Sequence, residues 1–357
     1  MDIEKLLAQR ASKIDKIIEK YIPRKYDTGK MNLALGRPRY AHDPETANAA
    51  IARPVWELLD RGGKRWRPVL FSIVCEALGG DSRKYGDLVV LFEIIHSGSL
   101  VCDDIEDNSD LRRGKPCLHK IFGIDIAVNV GSAMYYLPLL VLLRNKDLYK
   151  DKLLDIYEAY SEELIKIHFG QAMDIAWHNG LANADDISEK EYLQMCAYKT
   201  GTLARLAAKV GAIAAGADKK TIENIGALAE AMGIGFQIRD DILNLTAKSG
   251  RNQFTKNYIG SDISEGKRTL VVIHALSKAG KNDRNRLVQI LGSHTKDAGK
   301  MNEAIRIMEK YDSVSYAKRF ARELVLDAWA AAKPSLKNNS ASRELEAFVK
   351  FAFERGY

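Results

Sequence analysis

The stretch Val89-Val90-Leu91-Phe92-Glu93-Ile94-Ile95-His96-Ser97-Gly98-Ser99-Leu100-Val101-Cys102-Asp103-Asp104-Ile105-Glu106-Asp107 decides how this chain is read. At helical spacing its first half is apolar around most of the circumference. Such a helix belongs at the centre of a bundle, covered by others. It then ends in a burst of carboxylates.

Working outward, helical patterns follow one another almost without a break. They run over Val55 to Arg61, Pro68 to Leu78, Asp87 to Ile105, Ile126 to Leu143, Leu153 to Trp177, Glu189 to Ala215, Lys219 to Leu245 and Thr269 to Ser277, with more towards Phe353. No alternating run is long enough for a strand, and no repeat of solenoid length is present. Ile3, Leu6, Leu7, Ile14, Ile17, Ile18 and Ile22 mark an amphipathic N-terminal helix that Pro23 stops. Lys25 to Thr46 holds Gly29, Gly36, Pro38 and Pro44 and reads as an irregular connection. The expected architecture is all-α, one domain over residues 1–357, with 1–52 outside the motif-bearing core.

Composition agrees with this. A chain of 357 residues, 46% hydrophobic with only 8 prolines, can bury a large core and favours helix. Cys75, Cys102, Cys117 and Cys196 are too scattered for a zinc site or a disulfide framework, so reduced thiols and a cytoplasmic protein are expected. The N-terminus lacks the order of a signal peptide. The apolar run Tyr135 to Leu143, closed by Arg144, falls short of the roughly 20 residues a spanning helix needs, so no transmembrane segment is expected. The net charge of +7 would suit a polyanion, but the basic residues are scattered and carry no nucleic-acid-binding signature. Nucleic acid is therefore not an expected partner.

On a helix Asp103 and Asp107 lie one turn apart on one face, with Asp104 beside them. Their mutual repulsion and the helix dipole both call for a cation. A hard divalent ion such as Mg²⁺, bound by one or two carboxylates plus phosphate oxygens and water, meets that need. A second cluster, Phe236-Gln237-Ile238-Arg239-Asp240-Asp241, again ends an apolar helix, with Asn244 one turn beyond Asp240. Arg112 and Arg113 follow the first cluster, and Lys267 and Arg268 follow the second. Gly62-Gly63-Lys64-Arg65-Trp66-Arg67-Pro68 and Lys199-Thr200-Gly201 add more basic residues. A ligand that needs both a metal and several fixed cations is most simply a diphosphate.

In this order, Gly62 to Pro68, Asp103 to Asp107 with Arg112-Arg113-Gly114, Gln171 and Asp174, Lys199-Thr200, and Phe236-Gln237 with Asp240-Asp241 resemble the trans-isoprenyl diphosphate synthases. The wording of the first motif is similar to that of geranylgeranyl diphosphate synthases. The resemblance implies a bundle of long, mostly antiparallel helices around a deep central cavity, the isoprenoid synthase fold, usually as a homodimer. It implies that Asp103, Asp107 and Asp240 ligate Mg²⁺, three ions in all with Mn²⁺ as a substitute, while Asp104 and Asp241 support them. Arg112, Lys199 and Lys267 would hold an allylic diphosphate, with Thr200 and Gln237 hydrogen bonding nearby. Lys64, Arg67, His96 and Arg113 would bind isopentenyl diphosphate. His96 also lies on the helical face of Asp103, two turns below. Two positions depart from the family pattern. Asn244 replaces the commoner aspartate, and Lys256-Asn257-Tyr258-Ile259 stands before Gly260-Ser261-Asp262 in place of the usual directly preceding lysine, so that Lys256 would fill that substrate-binding role from a shifted loop.

The resemblance further implies that product length is set on the helix below Asp103. Gly98 and Ser99 are small there, which argues against an early floor and for a geranylgeranyl product. Ile95 and Phe92, or Tyr135 and Tyr136, would form a deeper floor. The alternatives are a longer-chain or farnesyl synthase, a terpene cyclase, and a non-catalytic synthase subunit.

Overall fold

Almost every apolar run in the sequence becomes an α-helix, and the strands among the described residues are two residues long. The computed structural model describes residues 3–11, 13–182, 186–246 and 260–354. The chain forms two compact units, Met1–Tyr157 with Val210–Ala217 and Glu158–Lys209 with Asp218–Tyr357.

In the first unit, α1 (Ile3–Ala11), α2 (Ile14–Tyr21), α3 (Thr28–Leu35), α4 (Pro44–Ala47), α5 (Arg53–Leu59) and α6 (Trp66–Ala77) precede α7 (Val89–Glu106). The strands β1 (Leu111–Arg112) and β2 (Lys115–Pro116), then α8 (Leu118–Phe122), α9 (Ile124–Ala133), α10 (Leu140–Arg144) and α11 (Lys146–Tyr149), follow it. As its sequence requires, α7 is central: α2, α6 and α9 pack on it. Val90, Leu91, Phe92, Ile94 and Ile95 are each 0% exposed.

The N-terminal helices supply part of this core, since Ile3, Leu7, Ile14, Ile18, Tyr21 and Ile22 are all buried. Arg10 grips Glu76 of α6 with two hydrogen bonds of 3.2 and 2.9 Å. Residues 25–46, expected to be irregular, contain α3 and the start of α4. Both begin at an aspartate cap, Asp27 accepting from the Lys30 amide and Asp43 from the Thr46 amide, and Pro44 occupies the first turn of α4. The helix expected over Ile126 to Leu143 is interrupted after Ala133 and resumes at Leu140, because Pro138 cannot continue an α-helical ladder. The run Ile124–Arg144 is long and apolar enough to cross a membrane by length and composition alone, which is weak evidence for a span; 44% of its most apolar window is buried inside the protein.

Where α7 meets the end of α9, a Cβ on Gly98 would stand 2.7 Å from Met134 Cβ and 3.1 Å from the Gly131 carbonyl. Gly98 therefore sets how closely these two segments approach.

The second unit continues through α12 (Leu153–His178), α13 (Glu189–Cys196), a π-turn at Ala197–Gly201, α14 (Thr202–Ala215) and α15 (Lys219–Thr246). It ends with α16 (Ser261–Ser264), α17 (Leu270–Lys278), α18 (Lys281–Gly292), α19 (Ala298–Lys310), α20 (Ser313–Ala332) and α21 (Ser340–Glu354). Its axis is α15, on which α20, α21, α17 and the π-turn pack. Ile234, Ile238, Ile242 and Leu245 of α15 join Leu270, Val271, Ala317 and Ala321 in one apolar cluster.

The Gly98 contact is testable. Gly98→Val should lower stability by about 1–3 kcal/mol, the usual cost of overpacking a filled core. Urea unfolding would measure this, and a variant as stable as the parent would show that the contact yields without cost.

Candidate active site

The first aspartate motif is built from the end of α7 and the hairpin that follows. The Asp107 amide donates to the Asp103 carbonyl at 2.9 Å, so the last helical turn is closed. Arg113 (φ 52°) and Gly114 (φ 75°) form the two-residue turn between β1 and β2. Two consecutive positive φ values are the signature of the hairpin turn that best matches strand twist. The reversal sends Arg112 back onto the motif. Its Nε donates to both Asp104 oxygens at 2.9 and 3.0 Å, and its Nη2 to Asp104 Oδ1 at 2.5 Å and Asp103 Oδ2 at 3.2 Å. Burial pushes the Arg112 pKa down, but Asp104 and Asp103 more than offset this and hold it above its ordinary value. Asp104 is buried, Asp103 is partly exposed and Asp107 is exposed.

A second group of cations lies in the same unit. Arg65, in the left-handed conformation before α6, is held by Glu93 at 2.5 Å, Asp15 at 3.0 Å and the Leu59 carbonyl. It serves the fold. Arg67 is different: it is 9% exposed, it lies over the Trp66 ring, and its buried Nε finds no hydrogen-bond partner. Burial drives its pKa down to about 10. Arg113 donates to the Gly62 carbonyl, and a Cβ on Gly63 would press on the Arg113 and Arg65 guanidinium groups. Gly63 thus makes room for the arginines, whereas a Cβ on Gly62 would meet nothing. The His96 pKa lies well below the ordinary histidine value, through burial and then Arg67, Arg113, Arg112 and Arg65. His96 is therefore neutral at physiological pH. Lys64 is half-exposed and lies 3.7 Å from Glu4.

The second motif belongs to the other unit. Asp241 is buried and accepts from Tyr192 Oη at 2.7 Å and Gln237 Nε2 at 2.9 Å. Gln237 in turn accepts from Thr200 Oγ1 at 2.9 Å. Lys199 bonds to Asp174. Asp240 is 64% exposed beside Arg239. Lys267 lies 2.6 Å from Glu265 and 3.7 Å from Asp262, and burial lowers its pKa less than these carboxylates raise it. Burial raises the Asp241 and Asp262 pKa values above the ordinary carboxylate range, and their mutual repulsion adds to the shift at Asp241. Asn244 is fully engaged at the start of α16, donating to Ser261 Oγ at 2.6 Å and accepting from the Asp262 amide at 3.1 Å. It pins that segment. Lys256 lies outside the described residues.

Asp103, Asp104 and Arg112 are thus brought together, as are Arg67, His96 and Arg113, and Lys199, Thr200, Gln237 and Asp241. Sequence reasoning missed Tyr192, Glu93 and the role of Asp262 because each acts on its partner through space. Of the residues expected to set product length, Phe92 packs on Phe71 with centroids 5.3 Å apart, and Ile95 is 0% exposed. Gly98 faces Met134. Ser99 is half-buried and donates to the His96 carbonyl at 2.9 Å. Tyr136 is 69% exposed, so it walls no interior of this chain.

The donor chemistry fits Mg²⁺. Asp107 and Asp240 offer exposed hard oxygens, and Asp103 a partly exposed carboxylate that also accepts from Arg112. Among the described residues no three His, Cys, Asp or Glu side chains form a ready-made metal site.

The polyprenyl synthetase family profile matches residues 48–308, and the chain belongs to that family. It is 34% identical over 315 residues to a short chain isoprenyl diphosphate synthase of Methanothermobacter thermautotrophicus, covering 87% of this chain and 91% of that one. It is 32% identical to the geranylfarnesyl diphosphate synthase of Natronomonas pharaonis over 84% of this chain and 88% of that one. The crystal structure of geranylgeranyl pyrophosphate synthetase from Pyrococcus horikoshii Ot3 superposes with a TM-score of 0.83 at 29% identity, covering 99% of both chains. The fold is the all-α isoprenoid synthase fold, and the protein is a trans-prenyltransferase of the isoprenyl diphosphate synthase class.

The raised pKa of Asp241 has a stability consequence. Below the ordinary aspartate value, about 4, the group is protonated both folded and unfolded and contributes nothing. As pH rises above that value the unfolded chain releases the proton first, so burial of Asp241 destabilises increasingly until its folded pKa is passed. Metal-free Asp241→Asn should therefore gain stability relative to the parent between pH 5 and pH 8, by about 1 kcal/mol or more, read from urea unfolding. An unchanged difference would mean that the native carboxyl titrates normally.

Proposed function

We propose that this protein condenses isopentenyl diphosphate head to tail with an allylic diphosphate, releasing geranylgeranyl diphosphate as its main product. The observation that carries this reading is the cation cluster around Arg67, whose buried and unpartnered Nε asks for an anion. The aspartate pairs add the means of binding a metal–diphosphate. The family match runs through segments of both units, which supports treating residues 1–357 as one synthase domain.

In this reading Asp103, Asp107 and Asp240 hold Mg²⁺, three ions with bound diphosphate, while Asp104 and Asp241 fix the helix ends. When bound, Mg²⁺ supplies charge neutralisation for the departing diphosphate. Arg112, Lys199 and Lys267 hold the allylic diphosphate, with Thr200 and Gln237 as hydrogen-bonding partners. As the allylic carbon–oxygen bond breaks, the electron pair leaves with the diphosphate, where these fixed cations stabilise it. Lys64, Arg67 and Arg113 hold isopentenyl diphosphate, and neutral His96 donates a hydrogen bond to it. The isopentenyl double bond attacks the allylic cation to form the new carbon–carbon bond. A proton is then lost to the released diphosphate, so no side-chain nucleophile is needed.

The product assignment rests on small Ser99 below the first motif and on the geranylgeranyl synthases among similar proteins. A homodimer is supported by apolar residues left exposed in the first unit, among them Ile124 (63%), Leu143 (50%) and Leu154 (69%). Four scattered cysteines, none in a disulfide among the described residues, support a reducing cytoplasmic location.

Chromatography of the products made from five-, ten- and fifteen-carbon allylic diphosphates tests the reaction and the product together. Elongation ending at twenty carbons is expected. A twenty-five-carbon end point would move the assignment to a longer-chain synthase, cyclised hydrocarbon would mean a cyclase, and no turnover would mean a modulating subunit. Asp103→Ala should cut turnover by about a thousandfold or more while circular dichroism stays unchanged. A variant that keeps most of its activity would remove Asp103 from the metal role.

A further inference from the structure

The helix running from Glu189 to Ala215 is continuous except at Ala197–Gly201, where it widens into a π-turn. This turn carries Lys199 and Thr200, and it sits in two glycine notches. On α12, a Cβ at Gly170 would stand 2.3 Å from the Lys199 nitrogen and 2.6 Å from the Tyr198 carbonyl carbon. On α15, a Cβ at Gly233 would stand 2.7 Å from Gly201 Cα and 3.3 Å from the Thr200 oxygen. Real Cβ atoms do not come so close to backbone, so each notch exists only because the residue is glycine.

Each notch lies one helical turn before the polar side chain that the π-turn meets. Gly170 precedes Asp174, which binds Lys199. Gly233 precedes Gln237, which binds Thr200, and Asp241 follows one turn further on the same face.

The turn also corrects a phase. Tyr192 and Thr200 are eight residues apart, and a regular helix would leave them about 80° out of line. The one residue absorbed by a π-turn removes about 100°, bringing them within about 20° of each other. Both then face α15, where Tyr192 bonds Asp241 and Thr200 bonds Gln237. Buried groups lock the result. Thr202 Oγ1 donates to the Tyr198 carbonyl at 2.5 Å, and Arg205 Nη2 donates to Thr202 at 3.3 Å. Arg205 is itself clamped by Glu163 at 2.5 to 2.9 Å and by Glu230.

We propose that Gly170, Gly233 and Thr202 are positioning residues for the prenyl transfer: they seat the π-turn so that Lys199 and Thr200 stand in register with Asp174 and with the Gln237–Asp241 pair. This rests on the reading that Lys199 and Thr200 hold the allylic diphosphate.

Michaelis constants for both substrates, measured on full-length Gly170→Ala, Gly233→Ala, Thr202→Val and Lys199→Ala, test it. Each glycine variant should raise the constant for the allylic diphosphate about tenfold or more, as misplacement of a binding group does, and move that for isopentenyl diphosphate less than about twofold. Lys199→Ala should cost much less in the Gly170→Ala background than alone, since both act on the Lys199–Asp174 contact. Should the glycine variants fail to fold, Thr202→Val, which keeps the side-chain shape, decides through the same split at a smaller size. If Lys199→Ala leaves the allylic constant unmoved, the functional reading fails and the inference with it. If Lys199→Ala raises that constant but the positioning variants shift both constants equally, shift neither, or add independently to Lys199→Ala, the inference alone is overturned.

Discussion

Asp103 and Asp104 stand at the C-terminal end of a buried apolar helix, where the helix dipole and their mutual repulsion both oppose charge. The local structure of the first unit answers that constraint. A turn with two positive φ values folds the chain back within a few residues, so Arg112 meets both carboxylates. Charge-assisted hydrogen bonds of this kind each contribute about 1.5–3 kcal/mol, enough to fix the hairpin and with it Arg113. From the turn, Arg113 reaches the Gly62 carbonyl and joins the cluster around Arg67 and His96. One tight reversal thus ties the aspartate motif to the Gly-Gly-Lys-Arg segment, which lies some forty residues earlier in the chain.

The second unit solves the same problem with neutral donors. Asp241 is covered by the Tyr192 hydroxyl and the Gln237 amide, and its raised pKa shows that these donors compensate burial only in part. In both motifs one carboxylate is buried and tied while another keeps open surface: Asp104 against Asp103 and Asp107, and Asp241 against Asp240. The tied member orients the helix end. The more exposed member keeps surface that a cation can reach, and Asp103 does so while also accepting from Arg112.

The fold was largely legible in the sequence because helical apolar periodicity is a local signal. Where it misled, a second local signal was present. Asp27 and Asp43-Pro44 announce the helices of the supposed irregular connection, and Pro138 announces the break after α9. The site was legible where its residues are contiguous, as in Asp103 to Arg113. Tyr192, Glu93 and Asp262 were not, because a buried tyrosine or carboxylate shows its partner only once helices are packed. The π-turn leaves no trace in periodicity, since a single absorbed residue shifts the phase by less than the width of an apolar face.

A small residue on an apolar helix has two physical causes, room for a ligand or room for a neighbouring backbone, and sequence does not separate them. Gly98 answers to the second: Met134 occupies the space a side chain would need. The same argument governs its neighbours. A side chain that faces an open channel retains accessible surface, and Phe92 and Ile95 retain none, each being enclosed by the packing around α7. Ser99 keeps some, with its hydroxyl turned back to the His96 carbonyl so that the helix face beyond it presents little polar surface. Among Phe92, Ile95, Gly98 and Ser99, Ser99 is thus the one that keeps accessible surface. Gly98 instead sets how close α9 and Met134 are allowed to come.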